Sequence, residues 1–153
     1  MTFADFEKYL TDLPDEILNE AAQIVAETAT EYYKDTFTKK AFDGNLWTAP
    51  KKEKSTGSLL VDSGNLLNSI RPALISREKV VISAGNDKVP YAQAHNEGVH
   101  GPVTVNPFTR NGKEVKGYTR QANLPQRQFM GKADELGELL YKRIEAYLNT
   151  IKK

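Results

Sequence analysis

The chain has 153 residues, 39% hydrophobic and 27% charged, with 21 basic against 20 acidic side chains. A chain of this length fits one domain burying about 68 to 70% of its unfolded surface, and a net charge of +1 supplies no general field toward nucleic acid or an acidic membrane. The absence of cysteine excludes disulfides, thiolate nucleophiles and cysteine-ligated metal. No apolar run approaches the ~20 residues needed to cross a bilayer, and the opening MTFADFEKYLTD lacks a basic start and an apolar core. A soluble product of a reducing cytoplasm is expected.

From Pro14 to Lys40, apolar residues at Ile17, Ala21, Ile24, Val25, Ala29, Tyr32 and Tyr33 keep i, i+3, i+4, i+7 spacing, which predicts one amphipathic helix. Asp12 is expected to cap its free amides, with Pro14 in the first turn, while Lys39 and Lys40 suit the negative end of the dipole. Such a helix runs roughly 40 Å, longer than the ~30 Å width of a domain this size, so it either kinks or projects toward a neighbour.

Residues 41–61 lose the period. Asp43-Gly44, Pro50 and the lysine-rich run 51–58 read as a loop, in which Trp47 is an anchor laid on the core rather than a ligand contact. Ser63 is read as the cap of a short helix carrying Leu66, Leu67 and Ile70. Residues 72–76 and 79–84 form a predicted hairpin, and Pro90 to Gly98 a short helix closed by its glycine.

Residues 103–110 and 113–120 flank Asn111-Gly112, the dipeptide best suited to a type I′ turn. Pro107 cannot donate a ladder bond, so this hairpin is expected at an edge or as a protruding arm. A second long helix follows residue 131, with Leu136, Leu139, Leu140, Ile144, Tyr147, Leu148 and Ile151 along one stripe. The order predicts a single α+β domain over residues 1–153: a small antiparallel sheet packed by a long N-terminal helix and a C-terminal helix, with a β-hairpin arm inserted at 99–120.

No catalytic group, metal or cofactor is expected. His95 and His100 are five positions apart across a predicted helix end, not four apart on one face as a helical metal pair requires. Ser63 and Ser69 invite a nucleophile reading, but Ser63 lacks the G-x-S-x-G elbow and is better used as a helix cap, and no glycine-rich phosphate loop occurs. Arg110, Lys113, Lys116, Arg120 and Arg127, interleaved with Phe108 and Tyr118, could make a basic ribbon for single-stranded nucleic acid. The favoured reading is that these charges protect an exposed strand edge from aggregation.

Four segments in order carry a resemblance: Trp47; Leu60-Val61-Asp62-Ser63-Gly64-Asn65-Leu66-Leu67-Asn68-Ser69-Ile70; Tyr91-Ala92 with His95 and Gly98; and Pro125-Gln126-Arg127-Gln128-Phe129-Met130-Gly131. Together they resemble the phage virion morphogenesis (tail completion) family, whose members typically carry a tryptophan, then L-x-x-[ST]-G-x-L-x-x-S-[IL], Y-A-x-x-[HQ]-x-x-G and P-x-R-x-F-L-G. Met130 replaces the usual leucine, and Val99 to Arg120 is a longer insert than shorter members have.

The resemblance implies a structural protein of tailed phages or prophages, working at the head-to-tail junction or tail end. It would act as a ring, six-fold by the resemblance, in contact with other tail or neck proteins, as a virion component assembled in the cytoplasm of a bacterial host. No small-molecule substrate, membrane or nucleic-acid partner is implied. The motif residues then have architectural jobs. Ser63 caps, Gly64 allows close approach, and Trp47, Leu66, Ile70, Tyr91 and Phe129 share one core. Pro125 sets an extended entry to the last helix, and Arg127 points outward. Val103, Val105, Phe108, Arg110, Val115 and Tyr118 on the arm are expected to face a neighbour. The alternative is a small nucleic-acid-binding or processing protein using the basic arm.

Overall fold

Helix α1 (Asp15–Lys39) is the longest element of the computed structural model, which describes residues 8, 9, 11–52 and 57–152. Its buried stripe, Ala22, Ala26, Ala29, Tyr33 and Phe37 with Tyr32 beside it, recurs every three or four residues. At 25 residues it spans roughly 37 Å. The start differs from expectation. Pro14 occupies the cap position without a side-chain bond, and Asp12 donates its backbone N–H to Lys8 O at 3.1 Å instead of capping α1. Asp15 and Glu16 in the first turn face the positive end of the dipole, and Lys40 ends the helix in a left-handed conformation.

Residues 41–61 are not wholly loop. Strands β1 (Ala41–Phe42) and β2 (Asn45–Leu46) form a tight hairpin, with Asp43 and Gly44 at φ 48° and 79°. Two positive φ values in succession are what a type I′ turn needs, and Asp-Gly adopts them readily. The turn places Trp47 N–H 2.8 Å from Lys40 O and points the indole inward.

Short helix α2 (Asn65–Asn68) leads into β3 (Arg71–Ile75) and β4 (Val80–Ser83), antiparallel with a register shift between Pro72 and Leu74. Strand β4 is half-buried while all five residues of β3 are exposed, and both strands lie along α1. Helix α3 (Ala92–Glu97) then turns into the arm: β5 (Val99–Val105), β6 (Phe108–Arg110), β7 (Lys113–Val115) and β8 (Tyr118–Leu124).

The arm is longer than predicted. It pairs from Val99↔Leu124 to Val105↔Tyr118 and again from Phe108↔Val115 to Arg110↔Lys113, breaking at Pro107, which has no N–H to give. Val99 to Arg110 reaches roughly 40 Å at about 3.4 Å per residue. The strands make four separate two-stranded antiparallel sheets among the described residues, rather than one small sheet. The α+β class is as expected.

Helix α4 (Asp134–Ile151) packs along α1. Its stripe is only partly covered: Leu136 is buried, Leu140, Ile144 and Leu148 are half-buried, and Ile151 is 43% exposed. Arg143 crosses to α1, donating to Thr28 Oγ1 at 3.1 Å and pairing with Glu31 at 2.8 Å. A groove of about 670 Å³ runs between α1, α4 and the β3–β4 turn, with Leu18, Val25, Ile144 and Leu148 on its walls. The core collects Phe37, Phe42, Trp47, Leu66, Ile70, Val89 and Phe129. Phe37 sits edge-on to Trp47 at 5.5 Å and tilted against Phe129 at 5.2 Å, joining the N- and C-terminal parts of the chain.

Candidate functional site

The segment Pro125–Gly131 joins no strand or helix, so its backbone groups need partners from elsewhere. They come largely from the other motifs. Asn96 Oδ1 accepts from Phe129 N–H at 2.9 Å and Met130 N–H at 3.0 Å. Arg127 N–H donates to His95 O at 2.9 Å, Trp47 Nε1 donates to Gln128 O at 2.7 Å, and Tyr33 Oη donates to Gly131 O at 2.9 Å. Gly98 lies where a Cβ would fall 2.9 Å from Gln126 N and 3.0 Å from Leu124 O, and its φ is 76°. No other residue lets α3 end so close to the final segment. Ala92 is buried at the start of α3, and Pro125 is half-buried at the exit of β8.

Several motif residues do other work than expected. Ser63 Oγ accepts from Asn65 N–H at a long 3.5 Å, and the cap position belongs to Gly64 at φ 79°. A Cβ on Gly64 would meet only Asn68 Nδ2 at 3.4 Å, so the left-handed backbone, not close approach, calls for glycine there. The structural serine is Ser69, buried, donating to Leu66 O at 2.6 Å and accepting from Gly85 N–H at 2.9 Å. Its hydroxyl ties α2 to the end of β4.

Tyr91 is not a core residue. It is 39% exposed and stands edge-on to His95, ring centres 5.8 Å apart. Arg127 does not point outward. It is 7% exposed, with Nε donating to Thr48 O at 3.0 Å, because the loop after Trp47 closes over it. Trp47, Leu66, Ile70 and Phe129 do share one core.

Ser63, Gly64, Leu66, Tyr91, His95 and Arg127 meet around one cavity of about 400 Å³, bringing three of the motif segments together. Among the described residues no group of three or more His, Cys, Asp or Glu is placed to hold a metal ion. His95 lies on α3, while His100 lies on β5 opposite Asn123. Among the described residues no helix is long and apolar enough to cross a membrane.

Beside this cluster, Tyr32 Oη donates to Glu135 Oε2 at 3.1 Å and accepts from Asp43 N–H at 3.2 Å. Burial, aided by the Glu135 carboxylate, pushes the Tyr32 hydroxyl up to about 12. Burial also raises Tyr33.

On the arm, Val99, Gly101, Val103 and Val105 are half-buried while His100, Pro102 and Thr104 between them are exposed. Cross-strand partners share a face, so Val103 with Arg120 and Val105 with Tyr118 form one side of the ribbon. Phe108 and Tyr118 are 41% and 46% exposed, and Val115 is half-buried. Arg110 faces Lys113 across the tip, two like charges directly opposed. Arg127, enclosed in the body, leaves the basic set proposed for the ribbon.

Sequence reading gives Asp43 a turn but no helix-capping role, and gives Asn96 and Thr48 no role. Asn96 stands next to His95 and two residues before Gly98, but nothing local marks its amide as a clamp on a segment 33 positions away. No family model, curated protein or solved structure matches this chain.

Proposed function

We propose that this protein is a non-enzymatic assembly component of a tailed phage or prophage, acting at the head-to-tail junction or tail end as a ring of identical subunits. The single observation behind this reading is the division of labour between motifs and arm. The residues that carry the family resemblance interlock into one body, through Trp47, Ser69, His95 and Phe129, whereas the inserted ribbon holds Phe108 and Tyr118 in solvent. A two-stranded ribbon is marginal alone and gains most by laying its apolar side on a neighbour.

A patch gripping a different patch closes into a ring when its rotation divides the circle. The arm and the partly covered α1–α4 groove are two such unlike surfaces. The ring would be six-fold by the resemblance, with other tail or neck proteins as further partners, and would be a virion component assembled in the host cytoplasm.

The test is deletion of the gene in the phage or prophage that carries it, followed by electron microscopy of the lysate. Unjoined heads and tails, or tails with aberrant ends, are expected; a normal yield of joined particles overturns the proposal. The competing use of Arg110, Lys113 and Arg120 as a nucleic-acid ribbon is separated by titrating DNA at rising salt. Sub-micromolar binding that falls steeply with salt marks phosphate neutralisation and favours that alternative.

A further inference from the structure

Arg127 is enclosed at 7% exposure, yet it belongs to none of the ion pairs among the described residues. Its Nε is spent on Thr48 O at 3.0 Å. Among the described residues its two terminal nitrogens make no hydrogen bond or ion pair, and the side chain lines the 400 Å³ cavity. Neither nitrogen is sealed from water, and a charged fork held in place by its Nε bond is a preorganised partner for an anion.

The surroundings favour an anion with an apolar body. Lys51 and Lys52 are exposed on the cavity lining and add positive potential at its mouth. Asp62, the acidic residue among the described residues of the lining, makes no ion pair with Arg127. Leu59, Leu60 and Tyr91 supply apolar wall. The free end of a guanidinium is a planar fork that fits the two oxygens of a carboxylate.

We infer that this cavity binds a carboxylate attached to an apolar group, held by the terminal nitrogens of Arg127 and drawn in by Lys51 and Lys52. The carboxylate could come from a small organic acid or from the C-terminus of a protein chain ending in an apolar residue; the recognition chemistry is shared. This inference is independent of the assembly role proposed above, and neither fails with the other.

The test is nuclear magnetic resonance of the full-length protein titrated with hexanoate, with hexanamide and with inorganic phosphate. The readouts are the Arg127 side-chain nitrogens and the methyls of Leu59, Leu60 and Leu66. Saturable shifts with hexanoate are expected, with hexanamide and phosphate each about tenfold weaker or more. Arg127→Gln should abolish the response. Because that variant removes a buried bond to Thr48, the exposed pair Lys51→Glu with Lys52→Glu provides a second arm, expected to weaken hexanoate several-fold in a folded protein.

The peptide Ala-Ala-Leu with a free carboxylate identifies the source. Binding tighter than hexanoate assigns a protein terminus, and weaker binding a small acid; each supports the inference. No saturable shift up to about 10 mM hexanoate, an equal response to hexanamide or phosphate, or full binding by the doubly reversed lysine variant overturns it.

Discussion

The carboxylate of Asp43 accepts a hydrogen bond from the backbone N–H of Glu135 at 3.0 Å, so a turn in the first third of the chain caps the helix that ends it, 92 positions away. The local cap position of α4, Ala133, has no side chain able to do this. The same turn gives its own N–H to Tyr32 Oη, whose proton goes to Glu135 Oε2. Asp43→Ala should therefore cost about 0.5 to 2 kcal/mol, as loss of a helix cap does, while Asp43→Asn keeps an oxygen acceptor and loses less. Urea unfolding of the variants measures both; equal losses would show that charge, not the hydrogen bond, matters there.

Tyr32 links this knot to pH. Its hydroxyl is raised from 10.0 to about 12 in the fold, so the native state holds the proton more tightly than the unfolded chain does. The stability this contributes is fully present below pH 10 and is lost as pH climbs toward 12. Unfolding midpoints taken across that window should fall with rising pH, and fall less steeply in Tyr32→Phe. Tyr147, also raised to about 12 by its bond to Glu20, keeps part of the slope in that variant. Identical slopes for the two proteins would remove Tyr32 from the account.

Asn96 holds two backbone amides with one oxygen. Asn96→Ala leaves the N–H groups of Phe129 and Met130 without that acceptor, at about 1 to 3 kcal/mol for each group that water cannot reach. Asn96→Asp retains the acceptor and should recover most of the loss. Faster amide exchange at residues 129 and 130 in the alanine variant, with α1 unchanged, would locate the damage in the clamp.

Phe129 is 1% exposed and packs against Phe37. Phe129→Ala should cost roughly 3 to 5 kcal/mol through lost transfer energy and the cavity left behind. That is a large part of the ~5 to 15 kcal/mol a domain has in total. A loss below about 1 kcal/mol would mean the side chain is not held in a packed core.

What could be read from the sequence follows the range of the interaction. The stripes of α1 and α4, the Gly98 helix end and the Asn111-Gly112 turn are set by neighbours within a few residues, and each lies where expected. Arg127 and Asp43 fail for the opposite reason. A single arginine is solvated or enclosed according to whether a loop 79 positions away covers it, and Asp43 caps a helix that local sequence cannot name. Its motif points Tyr91 to the core, but one turn of α3 buries Ala92 and leaves the ring beside it 39% exposed. The Asp43-Gly44 hairpin was legible as a turn but its strands are too short to show a period.

The arm supplies the last prediction. Its pairing is regular from Val99 to Val105 and resumes from Phe108 to Arg110, but each strand bonds on one side only, and neither strand pair packs extensively on the body. Ribbons of this kind open readily, since few apolar contacts oppose the entropy gained. Arg110 opposite Lys113 works further against closure at the tip, and Pro107 interrupts the ladder between the two strand pairs. Amides from residue 103 to 120 should therefore exchange much faster than those of α1 in the free protein and become protected in the assembled ring. Charged substitutions at the exposed rings of the ribbon, Phe108→Glu or Tyr118→Glu, should block assembly while leaving the stability of the free chain within about 0.5 kcal/mol of the parent, as surface changes do. Protection equal to that of α1 in a monomer, or assembly unaffected by both substitutions, would mean that the ribbon is a self-sufficient part of the domain and that the contact between subunits lies elsewhere, with the α1–α4 groove as the surface to test next.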